Sequence, residues 1–265
     1  MHRGPAAVAV PIALAVPIAL AAPIALMAPI ALAGAKAVAA PAAPATGERP
    51  VVLAASSLAR AFTRLDPRAR FSFGGSGVLA FQMRQGAPVD VIALADPSLA
   101  RRLAAEGIVG RPRAFATNAV VMIVHGRADA PLRSIADAGR PGIAVVIGAP
   151  GVPVGDSARR ALARIGRSDV LANVVSEEPD AGSVVARVAL GEADAGFAYA
   201  SDARAAGDRL RAIAFPPSAR AGVTYAVALA TSAPHAAVGR AFIRHLLSPQ
   251  GRVALARSGL GRVPG

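Results

Sequence analysis

The sequence predicts an α/β protein built of two comparable strand-and-helix blocks with a cleft between them. Three observations carry this expectation. From Val51 onward, short apolar runs alternate with amphipathic stretches, the order that builds mainly parallel sheets flanked by helices. Loops rich in Gly and Pro follow several strands and precede helices. Two helical stretches remain at the C-terminus after the second block, so the chain is expected to return to the first block and cross between the two twice.

In chain order, Val51–Ala55 reads as a buried strand. Ser57–Leu65 reads as a helix, with Leu58, Phe62 and Leu65 on one face. Phe71–Phe73 is a strand, Ser76–Gln85 a helix, and Val89–Leu94 a strand. Pro97–Ala105 is a helix that stops before Gly107. A longer apolar strand covers Ala119–Val124. The second block runs strand Ile143–Ile147, helix Asp156–Ile165, strand Val170–Val175, helix Asp180–Leu190 and strand Ala195–Tyr199. Strands at Leu210–Ala214 and Val223–Ala230 follow. Helices at Ala236–Leu247 and Pro249–Ser258 close the chain.

Composition narrows the function. The 265 residues carry 29 basic and 16 acidic side chains, a formal charge of +13, and all the basic residues but Lys36 are Arg. A basic surface steers anions. The arginines are scattered and aromatics are few, which argues against nucleic acid as a partner. The absence of Cys removes disulfides, thiolate metal sites, thiol nucleophiles and a lipid-attachment cysteine.

The first fifty residues read as an address. Arg3 precedes an apolar tract from Ala6 to about Ala33, in which Pro-Ile-Ala-Leu recurs at Pro11, Pro17, Pro23 and Pro29. Ala35-Lys36-Ala37 and Val38-Ala39-Ala40 supply small residues of the A-x-A kind. Residues 1–40 are therefore expected to be a cleaved secretory signal peptide, and 41–50 a Pro/Ala-rich spacer. The tract is also long enough for a span of ~20 residues, although a proline every six residues removes helix hydrogen bonds repeatedly. A retained anchor and a repeat expansion without function stay open as alternatives.

Ser57 and Ser76 each begin a helix directly after a strand, the second within Phe73-Gly74-Gly75-Ser76-Gly77. There a hydroxyl and free backbone N–H groups meet at the C-terminal edge of a sheet, where anions bind. Both serines are equally readable as simple N-caps. Gly148–Gly155 and Glu178-Pro179-Asp180-Ala181 are further loop-to-helix junctions. They are anion nests or ordinary loops, and Asp180 is a cap candidate. Enzymatic patterns are weak. Gly-Gly-Ser-Gly is not a nucleophile elbow, and His2, His125, His235 and His245 have no ligand-like spacing.

These segments, taken in order, resemble the molybdate-binding family of periplasmic receptors from about Val51 to Gly265. The stretches that carry the resemblance begin with Ala54-Ala55-Ser56-Ser57-Leu58, Phe73–Leu79 and Gly86-Ala87-Pro88-Val89-Asp90-Val91. They continue with Phe115-Ala116-Thr117-Asn118, Val152-Pro153-Val154-Gly155, Gly196–Ala203 and Ser248-Pro249-Gln250-Gly251. The resemblance implies the two-lobed class II periplasmic binding protein fold, with 51–118 plus 226–265 as lobe 1 and 119–225 as lobe 2. It also implies an oxyanion held by Ser57, Ser76, Val154, Ala181 and Tyr199. The serines would each give a hydroxyl and a backbone amide, Tyr199 a hydroxyl, and Val154 and Ala181 backbone amides. No cofactor, enzymatic activity or directly ligated metal cation is implied. The expected role is that of a monomeric periplasmic protein that captures molybdate, and tungstate with it, for the permease of an ABC importer. The same clamp for sulfate or an organic anion is the alternative. Gly75 and Gly77 stand where other members often have serine, and Ser157 where an aromatic residue is common, and both departures bear on the size of the cage. Val154 and Ala181 differ from some relatives, but a backbone N–H needs no particular side chain.

Overall fold

The computed structural model describes residues 47–126 and 132–264. The expected signal peptide and the spacer as far as residue 46 lie outside them. The described chain opens with β1 (Val51–Ala55), a 3-10 turn over Ser56–Leu58, and α1 (Ala59–Leu65). β2 (Arg70–Gly74), α2 (Ser76–Arg84), β3 (Val91–Leu94) and α3 (Pro97–Ala105) complete the first block. β1 lies between β2 and β3 and is parallel to both. Its sequence, Val-Val-Leu-Ala-Ala, is apolar on both faces because helices cover both sides of the sheet.

β4 (Arg113–His125) is the longest strand, and it serves both blocks. Its first half pairs antiparallel with β9 (Gly222–Leu229), which lies beside β3. Its second half pairs antiparallel with β7 (Ala195–Tyr199) and β8 (Leu210–Ala214). β5 (Val145–Gly148) lies between β7 and β6 (Val174–Glu178), parallel to each. α4 (Pro153–Arg164), α5 (Ala181–Ala189) and α6 (Ala200–Ala206) belong to this second block. Each block thus has a strand with a parallel neighbour on either side, and β4 and β9 add antiparallel pairing in the middle of the order β2-β1-β3-β9-β4-β7-β5-β6.

α7 (Ala236–Leu247) and α8 (Pro249–Arg257) return to the first block, as expected. Phe242, Leu246 and Leu255 share one core with Val52, Leu58, Phe62, Phe115 and Tyr225. Phe62 is fully buried there, with the rings of Phe71, Phe115 and Phe242 at 6.0, 5.9 and 5.5 Å. Such ring pairs contribute about 0.5–1.5 kcal/mol each beyond their buried area. The second block has its own core around Met122, Ile147, Leu162 and Phe197.

Three expectations need correction. The strand expected over Val170–Val175 begins only at Val174, after a 3-10 helix over Ser168–Asn173. Asn173 holds that turn by donating to the Ala138 and Arg140 carbonyls at 2.8 and 2.7 Å, while Val170 still reaches the core. α4 starts at Pro153 and not at Asp156, because proline suits the first helical turn, where no N–H partner is needed. The strand expected from Ala119 starts at Arg113, since backbone pairing with β9 recruits the less apolar residues before it. Among the described residues no helix is long and apolar enough to cross a membrane.

Candidate functional site

The chain leaves β1, β2, β5, β6 and β7 at one end of the sheet, and five junctions meet there. Ser57, Ser76, Val154, Ala181 and Tyr199 all border a single small cavity. Two of the helices that start at it, α2 and α4, have the apolar N-cap residues Gly75 and Val152, and no side-chain cap. Their first amides are left for another acceptor, and the helix dipole favours a negative one. No cationic side chain borders the cavity. Among the described residues no cluster of His, Asp or Glu is arranged to hold a metal ion.

The N-cap reading of the serines fails. The residues before the two helical starts, Ala55 and Gly75, occupy the cap positions, and neither serine hydroxyl caps its helix. Ser76 Oγ instead accepts the Ala95 N–H at 3.1 Å. One of its two lone pairs is thereby engaged, and its proton remains available to an acceptor in the cavity that Ser76 borders. Ser57 Oγ lies 2.7 Å from the Tyr225 hydroxyl, fully inside the protein. Asp180 does cap α5, accepting the Ser183 N–H at 3.0 Å, while Asp156 accepts the Gly151 N–H at 3.1 Å.

Tyr199 is 2% exposed, yet its hydroxyl has no hydrogen-bond partner among the described residues. Burial pushes its pKa well above the ordinary value, so at neutral pH the hydroxyl keeps its proton and is a donor. An orphaned buried hydroxyl costs about 1–3 kcal/mol. An acceptor placed in the cavity would recover that cost. Tyr199 also donates its backbone N–H to Asp202 Oδ2 at 3.1 Å. Burial raises the Asp202 carboxyl to about 7, against the lowering effect of that bond.

The walls approach each other closely. Gly182 N–H donates to Ser56 Oγ at 3.2 Å. A Cβ on Gly75 would strike the Pro179 carbonyl oxygen, which gives the glycine a purpose: it lets the two loops touch. Gly77 faces open space. Ser157 lies outside the cavity; it is fully buried, and its Oγ accepts from Arg160 at 3.0 Å beside a neighbouring hollow. Its smallness therefore does not set the size of the cage.

Sequence reasoning gave a binding role to five of the residues that border the cavity, but none to Ser56, Asn118, Asp202 or Tyr225. Asn118 and Asp202 do lie in motif stretches, where their polarity was a usable signal. Tyr225 lies in an apolar run and reads as core, which its ring is.

A family model described as bacterial extracellular solute-binding protein matches residues 51–261. The molybdate-binding protein ModA of Mycobacterium tuberculosis is 36% identical over 233 residues, covering 84% of this chain and 88% of that protein. The same figures hold for ModA of Mycobacterium bovis. Among solved structures, the periplasmic molybdate-binding protein of Azotobacter vinelandii superposes with a TM-score of 0.71 at 20% identity. It covers 82% of this chain and 100% of that one. The sulfate-binding protein SubI of Mycobacterium tuberculosis gives 0.67 at 18% identity, covering 81% and 87%. At such identities the superpositions show the periplasmic binding protein fold and nothing finer.

Proposed function

Because the chain belongs to the bacterial extracellular solute-binding protein family, we propose that it captures molybdate, and tungstate with it, and delivers the ion to the permease of an ABC importer. The family is one of binding proteins, and the chain is accordingly a transport component and not an enzyme. The observation that carries the ligand reading is the orphaned hydroxyl of Tyr199, in a cavity that no cationic side chain borders and whose wall carboxylate, Asp180, already accepts the Ser183 N–H. A tetrahedral dianion offers acceptors alone, so it can satisfy every donor there. Hydrogen bonds to a charged group contribute roughly 1.5–3 kcal/mol each. Five to eight of them, less the ordering cost, reach the ~12 kcal/mol of nanomolar binding. The 36% identity to proteins named for molybdate favours that ion over sulfate, whose binder is the more distant relative.

In this reading Ser57 and Ser76 bind from lobe 1, comprising 51–118 and 226–265. Val154, Ala181 and Tyr199 bind from lobe 2, comprising 119–225. Residues 1–40 direct the chain to the periplasm and are removed, and the mature protein acts as a monomer. Calorimetry of the mature chain with molybdate, tungstate, sulfate and phosphate tests the ligand. Tight 1:1 binding of molybdate with far weaker sulfate binding is expected, and equal affinities would reject the assignment.

A further inference from the structure

Behind Ser57 stands a buried hydrogen-bond chain whose proton directions can be worked out from its fixed ends. The backbone N–H groups of Ala119 and Ser201 can only donate, and both face Oδ1 of Asn118, at 3.1 and 3.4 Å. The other end of that amide is therefore the NH₂ group. It donates to Ser201 Oγ at 2.7 Å and to the Tyr225 hydroxyl at 3.1 Å. On distance alone either oxygen of the 2.7 Å Tyr225–Ser57 pair could donate, but Asn118 is a donor to Tyr225, so the acceptor that the buried Tyr225 proton finds is Ser57 Oγ. Ser57 then cannot donate back along the same line. Its own proton is left for the cavity that it borders.

We propose that Tyr225, held by Asn118, is a positioning residue that turns the Ser57 hydroxyl into an obligatory donor toward the bound oxyanion. Tyr225 does not itself border the cavity. Its ring packs edge-on against Tyr199, which Phe would preserve, and its hydroxyl reaches Ser57. It is fully buried, and burial raises its pKa, which keeps the relay protonated at neutral pH. Asn118 stands at the point of β4 where pairing passes from β9 to β7. Ser201, the last member, lies on α6, two residues beyond Tyr199. Without the tyrosine proton, nothing fixes the direction of the Ser57 hydroxyl, and its interaction with the anion is no longer pre-set. This is the same device that the Ala95 N–H supplies at Ser76, built here from two side chains instead of one amide.

The inference rests on the oxyanion-binding reading, and a double-mutant cycle separates the two. Molybdate is titrated into the wild-type chain, Tyr225→Phe, Ser57→Ala and the double variant, each checked for folding by circular dichroism. Wild-type binding tests the reading itself. Given that binding, Tyr225→Phe is expected to weaken molybdate affinity by about tenfold in the wild-type background. In the Ser57→Ala background it should weaken it by less than about twofold, because the residue has nothing left to orient. An equal loss in both backgrounds, or no loss in the first, would overturn the proposal. If Tyr225→Phe does not fold, Asn118→Ala carries the same cycle, since it frees the Tyr225 hydroxyl to reverse. Its effect must likewise disappear with Ser57.

Discussion

A residue that serves a ligand and one that serves the fold leave opposite signs on stability, and the cavity contains both kinds. Tyr199 carries an orphaned buried hydroxyl. Tyr199→Phe should leave the ligand-free protein as stable as before or slightly more so, yet weaken molybdate binding by about 1–3 kcal/mol. Thermal melts and calorimetry on one sample check both halves. A variant that loses stability but keeps its affinity would contradict the role. The serines behave differently because they hold partners. Ser57→Ala leaves the Tyr225 proton without its acceptor, and Ser76→Ala strands the Ala95 N–H. Each should cost about 1–3 kcal/mol of folding stability in addition to affinity. At roughly 2–4 °C per kcal/mol for a chain of this size, the double variant should melt visibly lower while remaining folded at room temperature. Wild-type affinity in that folded variant would remove the serines from the site.

At the scale of elements, what was legible in the sequence was whatever a local pattern encodes. β1, α2, α3 and β7 follow from apolar runs and glycine or proline punctuation within a few residues. The site was legible as junctions, because strand-to-helix turns bearing Ser57, Ser76, Val154 and Ala181 are short-range signals. The early start of β4 and the 3-10 turn before β6 were not, since distant partners decide them: β9 in the first case, the Ala138 and Arg140 carbonyls in the second. Tyr225 was hidden for the same reason, as its hydroxyl meets Ser57 across 168 positions of sequence. α6 carries a testable titration at its N-terminus. The Asp202 carboxyl is raised in the folded state to about 7, above its ordinary value of 3.8. The folded protein then binds more protons than the unfolded chain between those two values, so this group makes stability fall as pH rises from about 4 to 7. Asp202→Asn should flatten that part of the stability profile, by at most a few kcal/mol. An unchanged slope in denaturant titrations across that range would refute it.

For the whole molecule, the question is how an anion bound between the two proposed lobes would change the protein that holds it. The chain passes between the blocks along β4 and β9, and the walls meet through Ser56 with Gly182 and through Arg60 with the Arg204 carbonyl. In the proposed clamp, donors from both lobes complete the shell of the anion only when the lobes are together. Molybdate must therefore favour the closed form by its differential affinity. Two consequences can be measured. The melting temperature should climb with molybdate concentration, by the equivalent of about 4 kcal/mol at a thousandfold excess over the dissociation constant. Small-angle scattering should show compaction on saturation. Gly75→Ala offers the converse, because its new methyl group would meet the Pro179 carbonyl and hold the two loops apart. That variant should bind more weakly and compact less, although Gly75 gives the anion no side chain. Its fold should persist, since its φ of −68° suits alanine. Identical scattering with and without saturating molybdate in the wild-type protein would mean that the clamp does not close. Binding would then have to be coupled to delivery through something other than the distance between the lobes.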